Sequence, residues 1–151
     1  LKFKISGEVK NGNMFKPWLN RKFNYIINDI SGISSIIAKK SIWFKYIPSS
    51  SGIDGTKLTI NIIKNSGDYL TKDGKLYLPL ISLSNTKKLL NFAKKKFKNI
   101  KIISTKNWFL PNDLEKHKKL LFNMKAKNQI NFQYKFGKFI CFTKILELRK
   151  S

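Results

Sequence analysis

The sequence predicts an α+β fold: an α/β sandwich in which a mixed, mostly antiparallel sheet is covered by two or three helices. Two patterns and one bulk property predict it. Stretches of two-residue apolar alternation are interleaved with stretches in which apolar residues recur every three and four positions, the signatures of half-buried strands and amphipathic helices. The chain has 151 residues, of which 42% are hydrophobic and 13% aromatic, enough to bury a core and too apolar for a disordered basic tail. No linker divides it, so residues 1–151 read as one domain, with 105–151 as an extension of it.

In chain order, residues 2–10 alternate, Phe3, Ile5 and Val9 against Lys2, Lys4, Glu8 and Lys10, and read as a strand. Asn11-Gly12-Asn13 reads as a turn, and Pro17-Trp18 as the approach to a helix. That helix is expected from Phe23 to about residue 38, with Ile26, Ile27, Ile30, Ile33 and Ile37 on one face, weakened at Gly32 and with partial strand character left open by its β-branched run. Residues 41–47 (SIWFKYI) and 57–64, with Leu58, Ile60 and Ile62 alternating, read as strands. Residues 75–81 are a third strand-like stretch, with Pro79 at an edge or strand end because it has no N–H to donate.

Ser84 is the expected N-cap of a helix running to about Lys98, with Leu89, Leu90, Ala93 and Phe97 inward and lysines outward. A strand at 100–104 follows. Asn112-Asp113-Leu114-Glu115 has the shape of a capping box opening a helix to about Lys125. Residues 130–136 and 138–148 then read as two strands around Gly137.

Charge decides which partners are plausible. The chain carries 31 basic against 8 acidic residues, a formal charge of +23. Self-repulsion on that scale favours association with a polyanion. Lysine supplies nearly all of it, the only arginines being Arg21 and Arg149. Lysine positions phosphates without reading sequence, whereas specific base contacts favour arginine. The expected partner is therefore RNA bound through its backbone. Abundant Lys, Asn, Ile, Phe and Tyr, with codons rich in A and T, point to an AT-rich gene such as an organellar one. Leu1 in place of Met suggests a processed chain or a non-standard start.

The candidate RNA-binding residues are Lys16, Trp18, Arg21 and Lys22; Lys39 and Lys40; Lys87, Lys88, Lys94, Lys95, Lys96 and Lys98; Trp108; and Lys116, Lys118, Lys119, Lys125 and Lys127. Lysines on a helix face usually only solvate it, but acidic residues are almost absent from these stretches, and that asymmetry favours phosphate binding. Tryptophans add stacking surface for unpaired bases. Trp43 reads as core, Trp108 as a loop residue free to stack, and Trp18 stands evenly between the two roles.

Catalytic constellations are sparse. One Cys and one His leave Cys-His and Ser-His-Asp arrangements little support. Cys141 reads as a small buried hydrophobe in a strand and His117 as a solvated histidine. Asp54, Asp68 and Asp73 sit beside glycines and read as turn residues. Glu8-x-Lys10 matches half of a metal-dependent nuclease motif, with no acidic residue before it. Catalytic residues, metal ligands, cofactors and small-molecule substrates are not expected. No apolar run reaches the ~18 residues that cross a bilayer.

Residues 23–38 followed by Ser41-Ile-Trp-Phe-Lys-Tyr-Ile-Pro48, then Gly74-Lys-Leu-Tyr77, the lysine-rich helix at 84–98 and Lys98-Asn-Ile-Lys-Ile-Ile103 resemble ribosomal protein sixteen of the large subunit over about residues 20–104. The resemblance implies a structural ribosomal protein, with ribosomal RNA and neighbouring ribosomal proteins as partners. It carries over no functional residue, because the family's glycine- and lysine-rich loop has no counterpart between Lys57 and Gly74. Residues 57–104 are also similar to a strand–helix–strand piece of a KH-like domain, as in small-subunit protein three, without its Gly-x-x-Gly clamp. The expectation is a mitochondrial ribosomal protein, more in keeping with the large subunit. The alternatives are a small-subunit protein, a metal-dependent nuclease or RNA-modifying enzyme, and a basic protein at an anionic membrane surface.

Overall fold

A computed structural model describes residues 6–30, 32–47 and 49–150. The elements are β1 (Phe23–Ile27), α1 (Ser35–Ala38), α2 (Lys57–Ser66), β2 (Leu70–Ile81), α3 (Thr86–Lys96), β3 (Asn99–Phe109), α4 (Asn112–Glu115), α5 (Lys118–Ala126), β4 (Gln133–Lys135) and β5 (Lys138–Arg149). The α+β expectation holds: a five-stranded mixed sheet runs in the order β1-β2-β5-β3, and β4 pairs with β5. β1 and β2 are parallel, and every other pair is antiparallel. β2 and β3 therefore run the same way, joined through α3, with β5 inserted between them.

The side-chain alternation of β5 divides the core in two. Leu146 and Leu148 join Leu76, Leu78 and Leu80 of β2 on one face, packed against Ile62 and Ile63 of α2 and Leu89 and Ala93 of α3. Phe139 and Cys141 turn to the opposite face, where Ile37 of α1, Leu114 of α4, and Leu121 and Met124 of α5 cover them. The β4–β5 hairpin closes on Phe136 (φ 50°) and Gly137 (φ 75°), two successive residues at positive φ, which is a type I′ turn. Gly55 (φ +70°) is required by packing as well: a Cβ there would lie 2.7 Å from Ser34 N and 2.8 Å from Ser84 Cβ.

Several sequence expectations are corrected. Residues 6–10 are irregular and exposed rather than strand, and 2–5 of that stretch lie outside the described residues. The helix expected over 23–38 is β1 followed, after a loop, by the single turn α1. Its Phe-Asn-Tyr-Ile-Ile run is rich in strand formers and has β2 to pair with. Residues 42–44 form a 3₁₀ turn, capped by the Ser41 side chain accepting from Trp43 N (3.2 Å). Residues 57–66 are helix α2, since the buried positions Thr59, Ile62, Ile63 and Ser66 follow helical spacing. The inward Thr and Ser hide that stripe from a reading of apolar residues alone.

Asn85, not Ser84, caps α3 by accepting from Lys88 N (2.9 Å), while the Ser84 hydroxyl donates to Ile81 O (2.7 Å). The capping box at Asn112 is not formed: Pro111 occupies the N-cap, and the expected single helix breaks into α4 and α5 at Lys116-His117. Pro79 fits its expected place, because β1 ends opposite Tyr77 and, among the described residues, leaves Pro79 paired with β5 alone. On α3, Leu89, Ala93 and Phe97 are buried as expected and Leu90 is half-buried; of the strands expected around Gly137, 138–148 stands, while the one expected over 130–136 is only Gln133–Lys135.

Candidate nucleic-acid interface

Helices α3 and α5 dictate the geometry of the basic surface. Each buries one stripe, Leu89 and Ala93 on α3, Leu121 and Met124 on α5, and so turns its lysines outward. Neither helix contains an acidic residue. Lys87, Lys88, Lys94, Lys95 and Lys96 on α3, Lys98 just beyond it, Lys118, Lys119 and Lys125 on α5, and Lys116 and Lys127 at its ends are all exposed.

Two adjoining grooves border α3, and the second reaches the carboxyl end of α5. One, of about 370 Å³, is lined by Lys87, Lys88, Asn91, Phe92 and Lys95 of α3 with Asn85, Ile60 and Asn128. The other, of about 210 Å³, shares Asn85, Lys87 and Asn128 and adds Lys125 from α5 with Asn131. The first groove thus carries Lys87, Lys88 and Lys95 and the second Lys87 and Lys125, with asparagines lining both. Sequence reasoning missed Asn85, Asn91, Asn128 and Asn131; Asn128 (φ 55°) sits in the left-handed region just after α5, and only the fold carries it to α3. Such amides hydrogen-bond sugar and base edges, while lysines meet phosphates.

Two of these lysines have internal partners. Lys88 Nζ lies 2.7 Å from Asp54 Oδ2, and Asp54 also accepts from Thr56 N (3.2 Å) and Thr56 Oγ1 (2.8 Å). Burial pushes the Asp54 carboxyl up, but the hydrogen bonds from Lys88 and Thr56 outweigh it and hold the group below its usual range. Asp54 thus keeps its local turn role and adds an ion pair across the fold. Lys125 Nζ donates to Phe132 O (2.7 Å) and lies 4.8 Å from that ring's centroid.

The other candidates lie elsewhere. Lys39 and Lys40 follow the one-turn α1 and are exposed. Lys16, Arg21 and Lys22 are exposed on the N-terminal segment, where Lys22 Nζ donates to Asp68 O. Trp18 is half-buried there, edge-on to Phe23 at 5.6 Å. Trp108 is not in a loop: it belongs to β3, opposite Cys141, and its Nε1 donates to Thr143 Oγ1 (3.1 Å), so it packs rather than projects. Trp43, expected in the core, is 57% exposed, its ring 6.3 Å from that of Trp108.

Three further polar sites lie apart from the lysine-lined grooves. Cys141 is buried, and burial pushes its thiol up to about 11. Glu147 is covered by its neighbours, receiving a hydrogen bond from the Tyr77 hydroxyl (2.6 Å) and ion pairs from Arg149 (2.6 Å) and Lys75 (3.5 Å). The Tyr77 and Arg149 hydrogen bonds hold its carboxyl down at about 2. Asn28, at the carboxyl end of β1, is 6% exposed; its Oδ1 accepts from Ile30 N (3.1 Å), and its Nδ2 has no partner among the described residues. It opens on a groove of about 500 Å³ that also borders Trp18, Phe23, Ile27 and Asp29. Among the described residues, no three His, Cys, Asp or Glu side chains gather as a metal site, and no helix is long and apolar enough to cross a membrane.

Comparison with protein-family models, with curated proteins and with solved structures finds no match.

Proposed function

We propose that this chain is a structural RNA-binding protein of an organellar ribosome, mitochondrial and of the large subunit, that neutralises ribosomal RNA phosphates with lysine. One observation carries the reading: α3 and α5 expose their lysines on helices without a single acid, and Lys87 of α3 and Lys125 of α5 border one groove with Asn85, Asn128 and Asn131. A solvated face of ordinary origin intersperses both signs of charge; a phosphate-binding face does not. The support is charge and placement. The helix-then-strand order quoted between residues 23 and 47 for the ribosomal resemblance is not what those residues form.

The test is sedimentation of the native protein from an extract of its source at rising salt. Co-migration with one ribosomal subunit through several hundred millimolar salt is the expected result. Release at low salt, or no co-migration, overturns it, because loose phosphate contacts lose about one power of salt per neutralised phosphate.

A second reading, an RNA-modifying enzyme, is favoured by Asn28. In open α/β sheets ligands bind outside the carboxyl ends of parallel strands. Asn28 stands at such an end with a buried donor that has no partner among the described residues. This reading expects nucleosides or nucleotides to raise the melting temperature of the protein by several degrees, and Asn28→Leu to abolish the rise. An unchanged melting temperature across that panel overturns it.

A further inference from the structure

We infer that the turn at residues 42–47 is a membrane-docking patch, which seats the protein on the surface of an anionic lipid bilayer. Its shape follows from hydrogen bonds. Phe44, Lys45 and Ile47 N–H donate to the carbonyls of Ser41 (3.2 Å), Ile42 (3.2 Å) and Phe44 (3.1 Å). That three-residue repeat stacks side chains three apart. Phe44 turns in against the core. The two columns left outside pair Ile42 with Lys45 and Trp43 with Tyr46.

The patch is anchored from behind. The Ser41 side chain accepts from Trp43 N (3.2 Å), and Asp113 Oδ2 accepts from Ile42 N (2.8 Å). The Trp43 ring lies against that of Trp108, itself fixed by its bond to Thr143. In front it is open: Ile42 is 71% exposed, Tyr46 86% and Ile47 55%. Exposed apolar side chains scattered singly are ordinary, but a cluster along one turn marks a binding surface.

The mixture of side chains selects the occupant. Lys39, Lys40 and Lys45 are exposed along the same stretch, and none is in an ion pair among the described residues. No acidic residue lies between Asp29 and Asp54. Protein interfaces shed lysine from their cores. A second copy of the chain would bring another +23 charges to the contact. RNA would use the lysines and the rings but gain nothing from Ile42 and Ile47. An anionic bilayer uses all of them. The isoleucines enter the acyl boundary, Trp43 and Tyr46 sit at headgroup level, and the lysines meet headgroup phosphates. The inference stands or falls independently of the ribosomal reading.

The test mixes the full chain with vesicles of phosphatidylcholine and phosphatidylglycerol, their acyl chains brominated or plain, and follows tryptophan fluorescence. Bromine quenches a tryptophan that reaches the acyl boundary. The expected result is quenching that Trp43→Phe removes. Ile42→Ser combined with Tyr46→Ser should lower vesicle affinity about tenfold or more. Phe136→Ser, which removes an equally exposed apolar side chain from the β4–β5 turn, should leave it unchanged. Absent quenching, quenching that persists in Trp43→Phe, or an affinity that falls alike in both serine variants or in neither overturns the inference. So does a double serine variant that loses RNA binding and keeps vesicle binding.

Discussion

At the scale of single residues, Glu147 is the group whose environment most constrains behaviour. Its carboxyl is held at about 2 by Tyr77 and Arg149, below its value of about 4.3 in an unfolded chain. A depressed folded-state value means the unfolded chain binds the proton first. Glu147 therefore contributes stability that is fully present above about pH 4.5 and drains away as the pH falls toward 2. Glu147→Gln should flatten that part of the acid denaturation curve, followed by circular dichroism, while wild type shows the slope. Cys141 makes the opposite prediction. Buried, with its thiol pushed to about 11, it should resist alkylation at pH 8 in the folded protein and react within minutes once guanidinium unfolds the chain. Rapid labelling of the folded state would show the β5 core to be open. The sequence alone pointed to the buried Cys141, because one Cys among apolar neighbours has few other readings. It gave no hint of the Glu147 cluster, whose partners lie 70 residues away at Tyr77 and beside it in an alternation of charge and apolar residues that looks like any strand surface.

Elements follow the sequence where local pattern and tertiary partner agree. The β4–β5 hairpin and α3 were legible because alternation, turn residue and helical stripe each sit within a few residues of one another. α2 was not, since Thr59 and Ser66 complete its inner stripe without registering as apolar. β1 was not, because a run of isoleucines fits both periods until β2 supplies hydrogen bonds. The hairpin also carries a local defect that mutation can relieve. Phe136 is fully exposed yet held at φ 50°, a conformation costly for an aromatic residue. Asn-Gly is the preferred pair in a type I′ turn. Phe136→Asn should therefore stabilise the protein by about 0.5–1 kcal/mol, read as a higher denaturation midpoint with unchanged slope.

At the scale of the whole molecule, charge was legible from composition, but its arrangement was not. The lysines of α3 and α5 are separated in the chain by all of β3, and only the fold places Lys87 and Lys125 on one groove. A site assembled this way is expected to act as a sum of phosphate contacts. Replacing Lys87, Lys95 and Lys125 by Gln should weaken RNA binding about equally across sequences. It should reduce the slope of log affinity against log salt by about 0.7–0.9 per contact removed. A sequence-dependent loss with an unchanged slope would assign these lysines to base reading instead.

The position of β5 has a temporal consequence. The strand that holds the sheet together, flanked by β2 and β3, follows both of them in the sequence and is the last of the described strands. During synthesis β2 and β3 emerge with their mutual partner still unmade, each a bare edge carrying apolar side chains. Closure waits on pairings such as Lys75 with Arg149, across nearly half the chain. Contacts of that span make folding slow and leave the waiting strands open to misassociation. A nascent chain of this design gains from a chaperone that shields β2 and β3 until β5 has emerged.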